Sequence, residues 1–552
     1  MSEKTIVVVG GAMAGPVAAA RAREIDEKAR IILLERNSRV SYAAGSLGLY
    51  LSGEVTSLED LNREKAEFFR DVYNIEAWTH TNVTAINAGQ HTIQIDRSGD
   101  GQTLHYNSLV YALGAESIVP DNISSDLENV ALFRTLNDLE KIERNLNQGQ
   151  RVCVIGSGPF GLEAAGALIR RGATVTVLEK ESRLYPEADS FISAAVQLTL
   201  ESKARIVTGA QVESYRVEGA RVRSLVLNDK TEIETDLVIL AAGILPRTAL
   251  LQKAGANLTE QQTIRVDTNC RTNLPDIYAC GVCVSLPQVL TGEPIWIPQV
   301  ASADKSAQVA GANAAGLNLK LPPVCGTLLL RVLDQHVGFT GLSRKIADAK
   351  FGSAVRSVMI IAPDRESFLP DAGHITVQMQ FDNANGRVIG VAMSGRNGVD
   401  KRLDVAATAI AGGLTVEQLA LLDLSYAPAC NGTRDPLNVA ATVAAMERSG
   451  FCRAMSAESF LNADHSGATC LDVSSGSVTE IPRGMRKLHV PLEELRKRMS
   501  ELDDIQDDIV VLSEYGRRGY LATRILSGSQ KKNVRFLAGG ATGLNGMSGI
   551  VS

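Results

Sequence analysis

A glycine-rich turn between an apolar strand and a helix occurs twice in this chain, and one strand later each turn is followed by an acidic residue. The first turn spans residues 10–15 and its acid is Glu35, whereas the second spans residues 156–161 and its acid is Glu179. Glycines in such a turn let the backbone approach a pyrophosphate, the helix N-terminus stabilises its charge, and the carboxylate accepts hydrogen bonds from ribose hydroxyls. Ala12 replaces the middle glycine of the first turn, but two copies in the same context predict two dinucleotide-binding units.

Length, charge and cysteine use narrow the class of protein. A chain of 552 residues exceeds what one hydrophobic core supports, so several domains are expected. A formal net charge of −6, with no basic block, argues against nucleic acid as a partner. No apolar run approaches a membrane span and the first residues lead straight into a strand, which predicts a cytoplasmic protein without signal peptide or membrane anchor. The eight cysteines are scattered like reduced thiols, and no cluster has metal-ligand spacing, so no metal is predicted.

The order of the strands indicates that one dinucleotide unit is inserted into the other. The first unit runs from Thr5 to about Ala115 and closes on an apolar strand with a glycine turn. The second runs from about Arg151 to Gly243 and closes in the same way. Residues 276–282 then form a short apolar run that we expect to return to the sheet of the first unit.

The composition changes after about Phe451, where a further α/β domain is expected. Residues 469–473 are typical of a strand with an acidic end, and residues 509–512 of a buried strand. That second strand leads into the loop 513–519 and a helix predicted to begin at Tyr520.

These features, in this order, resemble the pyridine nucleotide–disulfide oxidoreductase family, and most of all its branch of coenzyme A-disulfide reductases, NADH oxidases and persulfide reductases. The segments 326–332, 338–342, 426–429 and 435–438 resemble the dimerisation domain of that family, and the part after residue 451 resembles a rhodanese domain. The resemblance implies an α/β fold with two Rossmann-like dinucleotide-binding domains, an α+β dimerisation domain and a C-terminal rhodanese-like α/β domain. The implied domains are FAD-binding at 1–115 and 249–325, NAD(H)-binding at 116–248, dimerisation at 326–448 and rhodanese-like at 453–552.

The resemblance also implies FAD and NADH as cofactors, a homodimer, and a set of site residues. The expected cofactor-binding residues are Gly10, Gly11, Ala12, Met13, Ala14, Gly15, Glu35, Arg36, Ser41, Ala112, Gly114, Gly156, Gly158, Pro159, Phe160, Gly161, Glu179, Gly243, Gly281 and Val282. The expected catalytic positions are Gly45, Tyr426 and Cys430.

Both cysteines on which the chemistry of such relatives depends are replaced. The redox cysteine follows a Ser-Phe-x-x pattern, and here Gly45 stands in its place, with no cysteine before Cys153. The sulfur-carrying cysteine of the rhodanese loop is replaced by Ser513. A thiolate is the group that attacks a disulfide, so neither sulfur relay is expected to run. Gly516 and Arg518 remain, and the loop is therefore expected to keep an anion-binding capacity.

Two further departures concern ligand affinity. The return strand of the family ends in Gly-Asp, where the aspartate binds the ribityl chain of the flavin, but here it ends in Gly281 and Val282. The arginine pair that binds coenzyme A in some relatives reads Arg23-Glu24 here. Arg21, Arg23 and Ser41 survive, so a thiol or coenzyme A derivative stays a possible small-molecule substrate.

Four side chains are candidates to replace the lost thiol. Cys280 and Cys283 form a C-x-x-C at the end of the return strand, either as a relocated dithiol or as two small hydrophobic residues on a turn. Cys430 stands where many relatives have tyrosine, which favours a polar lining residue over a nucleophile. Tyr426 matches a tyrosine that assists catalysis from the other subunit in coenzyme A-disulfide reductases, and it is either a proton donor or a buried structural phenol.

The leading hypothesis is an FAD-dependent NADH oxidoreductase in which the flavin passes electrons directly to a small acceptor. Glu179 favours NADH, because its carboxylate repels the 2′-phosphate of NADPH. One alternative is a coenzyme A-disulfide or persulfide reductase that uses a relocated thiol. Another is a catalytically degenerate flavoprotein that serves as a partner-binding or sensing subunit.

Overall fold

The computed structural model describes residues 4–62, 64–463, 465, 467–476, 481, 484–505, 508–529 and 533–551. These residues form two compact units, the first from Met1–Lys180 and Lys203–Val324 and the second from Glu181–Ser202 and Cys325–Ser552. Residues 1–3, on which the prediction of no signal peptide partly depends, lie outside the described residues. The segment Glu181–Ser202 groups with the second unit, and the four predicted domain boundaries stay predictions.

The strands are, in chain order, β1 (Thr5–Val9), β2 (Arg30–Leu34), β3 (Ile75–Trp78), β4 (Thr81–Asn87), β5 (Thr92–Arg97), β6 (Asp100–His105), β7 (Ser108–Tyr111), β8 (Ala115–Ser117), β9 (Val130–Leu132), β10 (Arg151–Ile155), β11 (Thr174–Leu178), β12 (Arg205–Val207), β13 (Val212–Glu218), β14 (Arg221–Leu227), β15 (Glu232–Glu234), β16 (Leu237–Leu240), β17 (Ile244–Pro246), β18 (Ile264–Arg265), β19 (Ile277–Ala279), β20 (Val284–Pro287), β21 (Pro294–Ile295), β22 (Leu328–Val332), β23 (Gln335–Gly341), β24 (Val355–Pro363), β25 (His374–Asp382), β26 (Val388–Gly395), β27 (Ala454–Met455), β28 (Thr469–Asp472), β29 (Arg486–His489), β30 (Ile509–Leu512) and β31 (Val534–Leu537).

The α-helices are, in chain order, α1 (Ala14–Ile25), α2 (Leu47–Leu51), α3 (Ala66–Tyr73), α4 (Leu136–Asn145), α5 (Pro159–Arg170), α6 (Ser190–Glu201), α7 (Ala249–Lys253), α8 (Val300–Ala314), α9 (Arg344–Phe351), α10 (Val399–Ala411), α11 (Val416–Ala420), α12 (Pro436–Arg448), α13 (Ala457–Asn462), α14 (Leu492–Leu495), α15 (Arg517–Gly528) and α16 (Gly540–Val551). Among the described residues, no helix is both long and apolar enough to cross a membrane. The cytoplasmic location stays a prediction.

The first unit is built on a parallel sheet with strand order β19-β7-β1-β2-β3. Strand β19 pairs in parallel with β7, with Ile277 opposite Leu109, so the predicted return strand is confirmed. The β-branched residues Val7 and Val8 of β1 are fully buried, and each such side chain contributes about 1.5–3 kcal/mol of hydrophobic stabilisation. Helices α1 and α8 pack in close contact, because Gly311 leaves no Cβ against the backbone of Ala18.

A second parallel sheet in the same unit has strand order β12-β11-β10-β16-β9. It contains the second glycine turn after β10, as the sequence predicts. Antiparallel strands flank the two parallel sheets, with β4-β5-β6 and β13-β14-β15 as three-stranded sheets. Two parallel sheets, each with a glycine turn at the carboxyl end of a central strand, confirm the predicted α/β class and its two Rossmann-like halves.

The second unit contains one antiparallel and one parallel sheet. The antiparallel sheet has the order β22-β23-β26-β25-β24, and the parallel sheet has the order β27-β31-β30-β28-β29. Strand β30 is fully buried and leads into the loop expected from the sequence. Helix α15, however, begins at Arg517 rather than at the predicted Tyr520. Gly516, at a φ of +87°, ends the loop early and starts the helix directly after it.

Candidate functional site

The first glycine turn is held tightly against the end of the neighbouring strand β7. Gly10 has a φ of +107°, and a Cβ there would lie 2.4 Å from the carbonyl oxygen of Ala112. A Cβ on Gly15 would lie 1.7 Å from the carbonyl oxygen of Gly10. Only glycine fits at these two positions, and the close packing aims the N-terminus of α1 at the space above the turn. Such a helix N-terminus stabilises a phosphate.

Glu35 closes β2 beside this turn and is almost fully buried. Its Oε2 accepts a hydrogen bond from the backbone N–H of Gly11 at 2.8 Å, and its Oε1 accepts one from the N–H of Asn37 at 2.7 Å. These bonds fix the carboxylate in one orientation. Oε1 also accepts the side-chain amide of Asn37 at 2.7 Å, whereas Oε2 keeps a second lone pair that can accept a ribose hydroxyl of a dinucleotide.

A cavity of about 760 Å³ opens above the turn, within the size range of ligand sites. The predicted residues that line it are Gly10, Gly11, Ala12, Met13, Ala14, Glu35, Arg36, Gly45, Ala112, Gly114, Phe160 and Val282. Three residues predicted for this cofactor, Gly15, Ser41 and Gly281, are not part of the lining. Gly15 lies buried at the start of α1, and Gly281 donates its N–H to the Oγ of Ser306 at 3.0 Å.

Three arginines from distant parts of the chain face this cavity: Arg36, Arg134 and Arg247. Burial and the charge of Arg247 lower the pKa of Arg36 and of Arg134 below the usual range. All three guanidinium groups line the same cavity, and such a concentration of positive charge favours an anion. The lining therefore fits a dinucleotide, because it combines a glycine turn and helix N-terminus with a ribose-binding carboxylate and positive charge for a pyrophosphate.

Gly45 lies in a short turn before α2, and its backbone lines the cavity. A Cβ at this position would lie 2.9 Å from Cγ2 of Val300, whose side chain is 50% exposed. Part of the space that a cysteine side chain would need is therefore taken by Val300.

Among the described residues, no cysteine lines the cavity. Cys280 and Cys283 are fully buried, and the thiol of Cys283 donates to the carbonyl oxygen of Cys280 at 3.2 Å. Burial raises the pKa of Cys283 to about 12 and that of Cys280 well above its usual range. Both thiols are thus protonated at neutral pH, which favours the interpretation of two small hydrophobic residues on a turn.

The second glycine turn repeats the geometry of the first. A Cβ on Gly156 would lie 2.3 Å from the carbonyl oxygen of Ala241, and one on Gly161 would lie 2.0 Å from that of Gly156. Gly158, in contrast, faces open space, with no atom within 4 Å of a Cβ. The missing side chain of Gly158 is therefore not required by packing, and it leaves room for a ligand to approach the backbone.

Glu179 occupies in the second turn the place that Glu35 has in the first. Its Oε2 accepts hydrogen bonds from the backbone N–H of Ser157 at 2.9 Å and from the Oγ of Ser157 at 2.5 Å. Pro159 begins α5 directly after the turn, and Gly243, at a φ of +120°, follows the neighbouring strand β16. Of this second set, Phe160 also lines the cavity of the first turn.

Tyr426 and Cys430 lie on an exposed loop of the second unit. Tyr426 is 55% exposed in the single chain, and its role as a proton donor or as a structural phenol stays a prediction. Its hydroxyl donates to Oε1 of Glu366 at 3.2 Å, and the same oxygen accepts the N–H of Thr433 at 2.9 Å. Cys430 is also exposed. Phe368 is exposed as well.

The residues that could have bound coenzyme A make other contacts. Arg23 is buried, and its guanidinium donates to the carbonyl oxygens of Tyr73 at 2.7 Å and Asn74 at 2.9 Å. Arg21 pairs with Glu24 at 2.6 Å. The Oγ of Ser41, expected among the cofactor ligands, donates to Glu64 at 3.2 Å. The buried Arg23 thus links α1 to the backbone at the end of α3.

The loop after β30 places Ser513 where a carrier thiolate would be stabilised. The buried Oγ of Ser513 accepts the backbone N–H groups of Gly516 and Gly519, both at 3.1 Å. The guanidinium of Arg518 donates to both carboxylate oxygens of Glu493, at 2.7 and 2.6 Å. The N–H groups of Gly516 and Gly519 and the guanidinium of Arg518 are therefore engaged within the domain, and the anion-binding capacity of the loop stays a prediction.

Many of the lining residues were not predicted from the sequence, among them Tyr42, Arg134, Arg247 and Val300. Arg247 directly follows β17 and Arg134 lies two residues after β9, places from which side chains reach the end of a sheet. Burial and the nearby Glu35 raise the pKa of Tyr42 to about 12. Nothing in the local pattern around Val300 indicates its position over Gly45.

Comparison with known proteins agrees with this geometry. Residues 331–436 match the dimerisation domain of the pyridine nucleotide-disulphide oxidoreductases. An NADH oxidase of Methanocaldococcus jannaschii is 29% identical over 444 residues, which cover 79% of this chain and 97% of the relative. The solved NAD-dependent persulfide reductase from A. fulgidus is 33% identical, with a TM-score of 0.90 over 98% of this chain and 99% of that one.

A second solved structure also extends over the C-terminal part. The reduced CoADR-RHD of Bacillus anthracis is 28% identical, with a TM-score of 0.91 over 99% of this chain and 98% of that one. Such relatives confirm a flavin- and pyridine nucleotide-dependent oxidoreductase, together with the predicted rhodanese-like region. Residues 4–313 match the family's nucleotide-binding part, and the chain therefore belongs to the pyridine nucleotide-disulphide oxidoreductase family.

Proposed function

We propose that this protein oxidises NADH through FAD and delivers the electrons to a small acceptor without a redox-active cysteine. The observation that carries the proposal is the lining of the cavity. It contains Gly45 at the position expected for the thiol and, among the described residues, no cysteine. Bound FAD would supply the transfer of an electron pair between nucleotide and acceptor. The protein contributes binding, orientation and exclusion of water.

NADH is the proposed reductant because Glu179 stands where a 2′-phosphate would lie. Its carboxylate is buried and is fixed by two hydrogen bonds from Ser157, so it cannot move aside easily. A second negative charge against it would be repelled in a site with little water. A ribose hydroxyl, in contrast, carries no charge and can donate a hydrogen bond to the same carboxylate.

The acceptor is proposed to be small and uncharged. Gly45, its neighbour Ala44 and the facing Val300 form an apolar part of the lining without titratable side chains. Such a surface provides neither a counter-charge for an ionic substrate nor a general acid. It favours an oxidant of the size of dioxygen or a flat apolar acceptor. One relative, from M. jannaschii, is named an NADH oxidase.

A disulfide or persulfide reductase is the second candidate, since solved relatives carry that name. It would need a thiolate near the flavin, and the candidate thiols Cys280 and Cys283 are buried and protonated. It would also need contacts to a coenzyme A derivative, but Arg23 binds backbone carbonyl groups instead. We therefore rank this function below direct transfer.

The rate of NADH oxidation by the double variant Cys280→Ala/Cys283→Ala tests the proposal. Direct transfer predicts turnover within about twofold of the unmodified protein, because neither thiol carries electrons. A loss of turnover with FAD still bound would establish the relocated dithiol and overturn the proposal. If neither protein oxidises NADH with any acceptor while FAD is bound, the partner-binding or sensing role would replace an enzymatic one.

We further propose a homodimer, because the chain carries the dimerisation domain of the family. The exposed loop with Tyr426 and Cys430 would then contribute to the site of the other subunit. Sedimentation at micromolar concentration tests this arrangement. A monomer with full activity would contradict it.

A further inference from the structure

Gly45 and Val300 face each other at the opening of the cavity. Both residues line the cavity and both are exposed, so they lie where the cavity meets the solvent. A Cβ on Gly45 would lie 2.9 Å from Cγ2 of Val300, whereas two carbon atoms in favourable contact are about 3.5–4.0 Å apart. The methyl groups of Val300 therefore narrow the opening beside residue 45.

The turn that carries Gly45 is fixed by backbone hydrogen bonds to other parts of the chain. The N–H of Tyr42 donates to the carbonyl oxygen of Ala12 at 3.1 Å, and the N–H of Ala43 donates to the carbonyl oxygen of Leu61 at 2.8 Å. Gly45 itself has no side chain that could move aside. This side of the opening therefore consists of backbone that is held in place.

Val300 is the first residue of α8, and this end of the helix is also held in place. Nε1 of Trp296 donates to the carbonyl oxygen of Val282 at 2.8 Å. The N–H of Gly281 donates to the Oγ of Ser306, on the second turn of α8, at 3.0 Å. A valine side chain on a helix has one strongly preferred rotamer, so the methyl groups of Val300 leave the opening only at an energetic cost.

We propose that Val300 selects the electron acceptor by size, and that it admits a molecule of the size of dioxygen but slows acceptors that contain rings. The inference rests on the proposed function and identifies the residue that discriminates among small uncharged acceptors. With dioxygen as the acceptor, one NADH and one proton would give NAD⁺ and hydrogen peroxide. Because the discrimination is steric, a smaller side chain at position 300 should relax it, and a larger one should strengthen it.

The rate at which an acceptor reoxidises the dithionite-reduced, full-length holoprotein measures this selection. Val300→Ala should raise the rate constant for menadione, a bicyclic quinone, about tenfold and leave that for dioxygen within about twofold. Val300→Leu should lower the rate constant for menadione. Val217→Ala is the matched control, because Val217 is also 50% exposed but does not line the cavity, and it should leave both rate constants unchanged.

Thiol labelling measures the width of the opening without any electron transfer. The background variant Cys430→Ser removes an exposed thiol. In this background, the thiol introduced by Gly45→Cys should react readily with iodoacetamide but slowly with a maleimide that carries a bulky dye. Adding Val300→Ala should raise the rate of maleimide labelling at least about tenfold, by the same steric argument, and that of iodoacetamide labelling much less.

Either of two results would overturn the proposal. One is a ratio of the menadione and dioxygen rate constants that is the same in Val300→Ala, Val217→Ala and the unmodified protein. The other is a rate of maleimide labelling that does not change when Val300→Ala is added. Because dithionite replaces NADH in the first assay, both results would leave the proposed oxidation of NADH untouched. A loss of NADH turnover in Cys280→Ala/Cys283→Ala would, conversely, leave the size selection in place.

Discussion

A cysteine introduced at Gly45 should be accommodated only at the expense of Val300. The new Cβ would lie 2.9 Å from Cγ2 of Val300, whereas carbon atoms in favourable contact are about 3.5–4.0 Å apart. Overpacking of this kind costs about 1–3 kcal/mol. The half-exposed Val300 can turn partly towards solvent, so we expect Gly45→Cys to lower the free energy of unfolding by about 1 kcal/mol, at the low end of that range.

Two measurements read out the consequences. Thermal unfolding should show a lower stability for Gly45→Cys. The stability should be restored in Gly45→Cys/Val300→Ala, because the methyl groups that face residue 45 are removed. At alkaline pH the introduced thiol ionises, and a thiolate against oxidised flavin should produce a new long-wavelength absorption band in both variants. Val300→Ala alone is the control, and it should show no band.

The geometry would be refuted by either of two results. Equal stability of Gly45→Cys and the unmodified protein would mean that Val300 does not lie over residue 45. The absence of the band in both cysteine variants, with FAD bound, would mean that residue 45 does not face the flavin.

Three other changes test separate parts of the structure. Glu179→Gln keeps the shape of the side chain and removes its charge, so the preference for NADH over NADPH, measured as the ratio of kcat/KM values, should fall at least about tenfold. Arg402→Met removes the partner of the buried Asp435, which lies 2.8 Å away, and denaturant unfolding should show a loss of about 3–5 kcal/mol; adding Asp435→Asn should restore part of it. Burial raises the pKa of Glu447 to about 7, so the folded state holds a proton that the unfolded chain releases at lower pH. The contribution of Glu447 to the free energy of unfolding is therefore fully present at a pH below the ordinary pKa of glutamate, and it is lost as the pH rises to about 7. Glu447→Gln should flatten this fall in the thermal midpoint, and an unchanged pH profile would contradict the assignment.

The turns and the central strands were predictable from the sequence because their determinants are local. Gly10 and Gly156 have positive φ angles and lie close to neighbouring backbone. Because both conditions require glycine, the turns can be recognised in the sequence by the spacing of small residues before a helix. The return strand β19 was predictable for a similar reason, since a short apolar run with a following glycine has few other places in a parallel sheet.

Of the three arginines that line the cavity, only Arg36 was predicted from the sequence, where it directly follows Glu35. Arg36, Arg134 and Arg247 come from three separate elements and meet only when the parallel strands are assembled. The contact of Val300 with Gly45 has the same origin, because α8 lies far along the chain from the turn at residue 45. The hydrogen bonds of Ser513 could not be predicted for another reason. The sequence does not indicate from which N–H groups a serine hydroxyl accepts hydrogen bonds.

Anaerobic titration of the purified protein with NADH tests the central claim most directly. Without a thiol at the flavin, the visible absorbance of FAD should bleach in a single two-electron step, with no long-wavelength band at any point of the titration. A long-wavelength charge-transfer band in the unmodified protein, or the uptake of four electrons per flavin, would show that a thiol exchanges electrons with it. Direct transfer to the acceptor would then have to be abandoned.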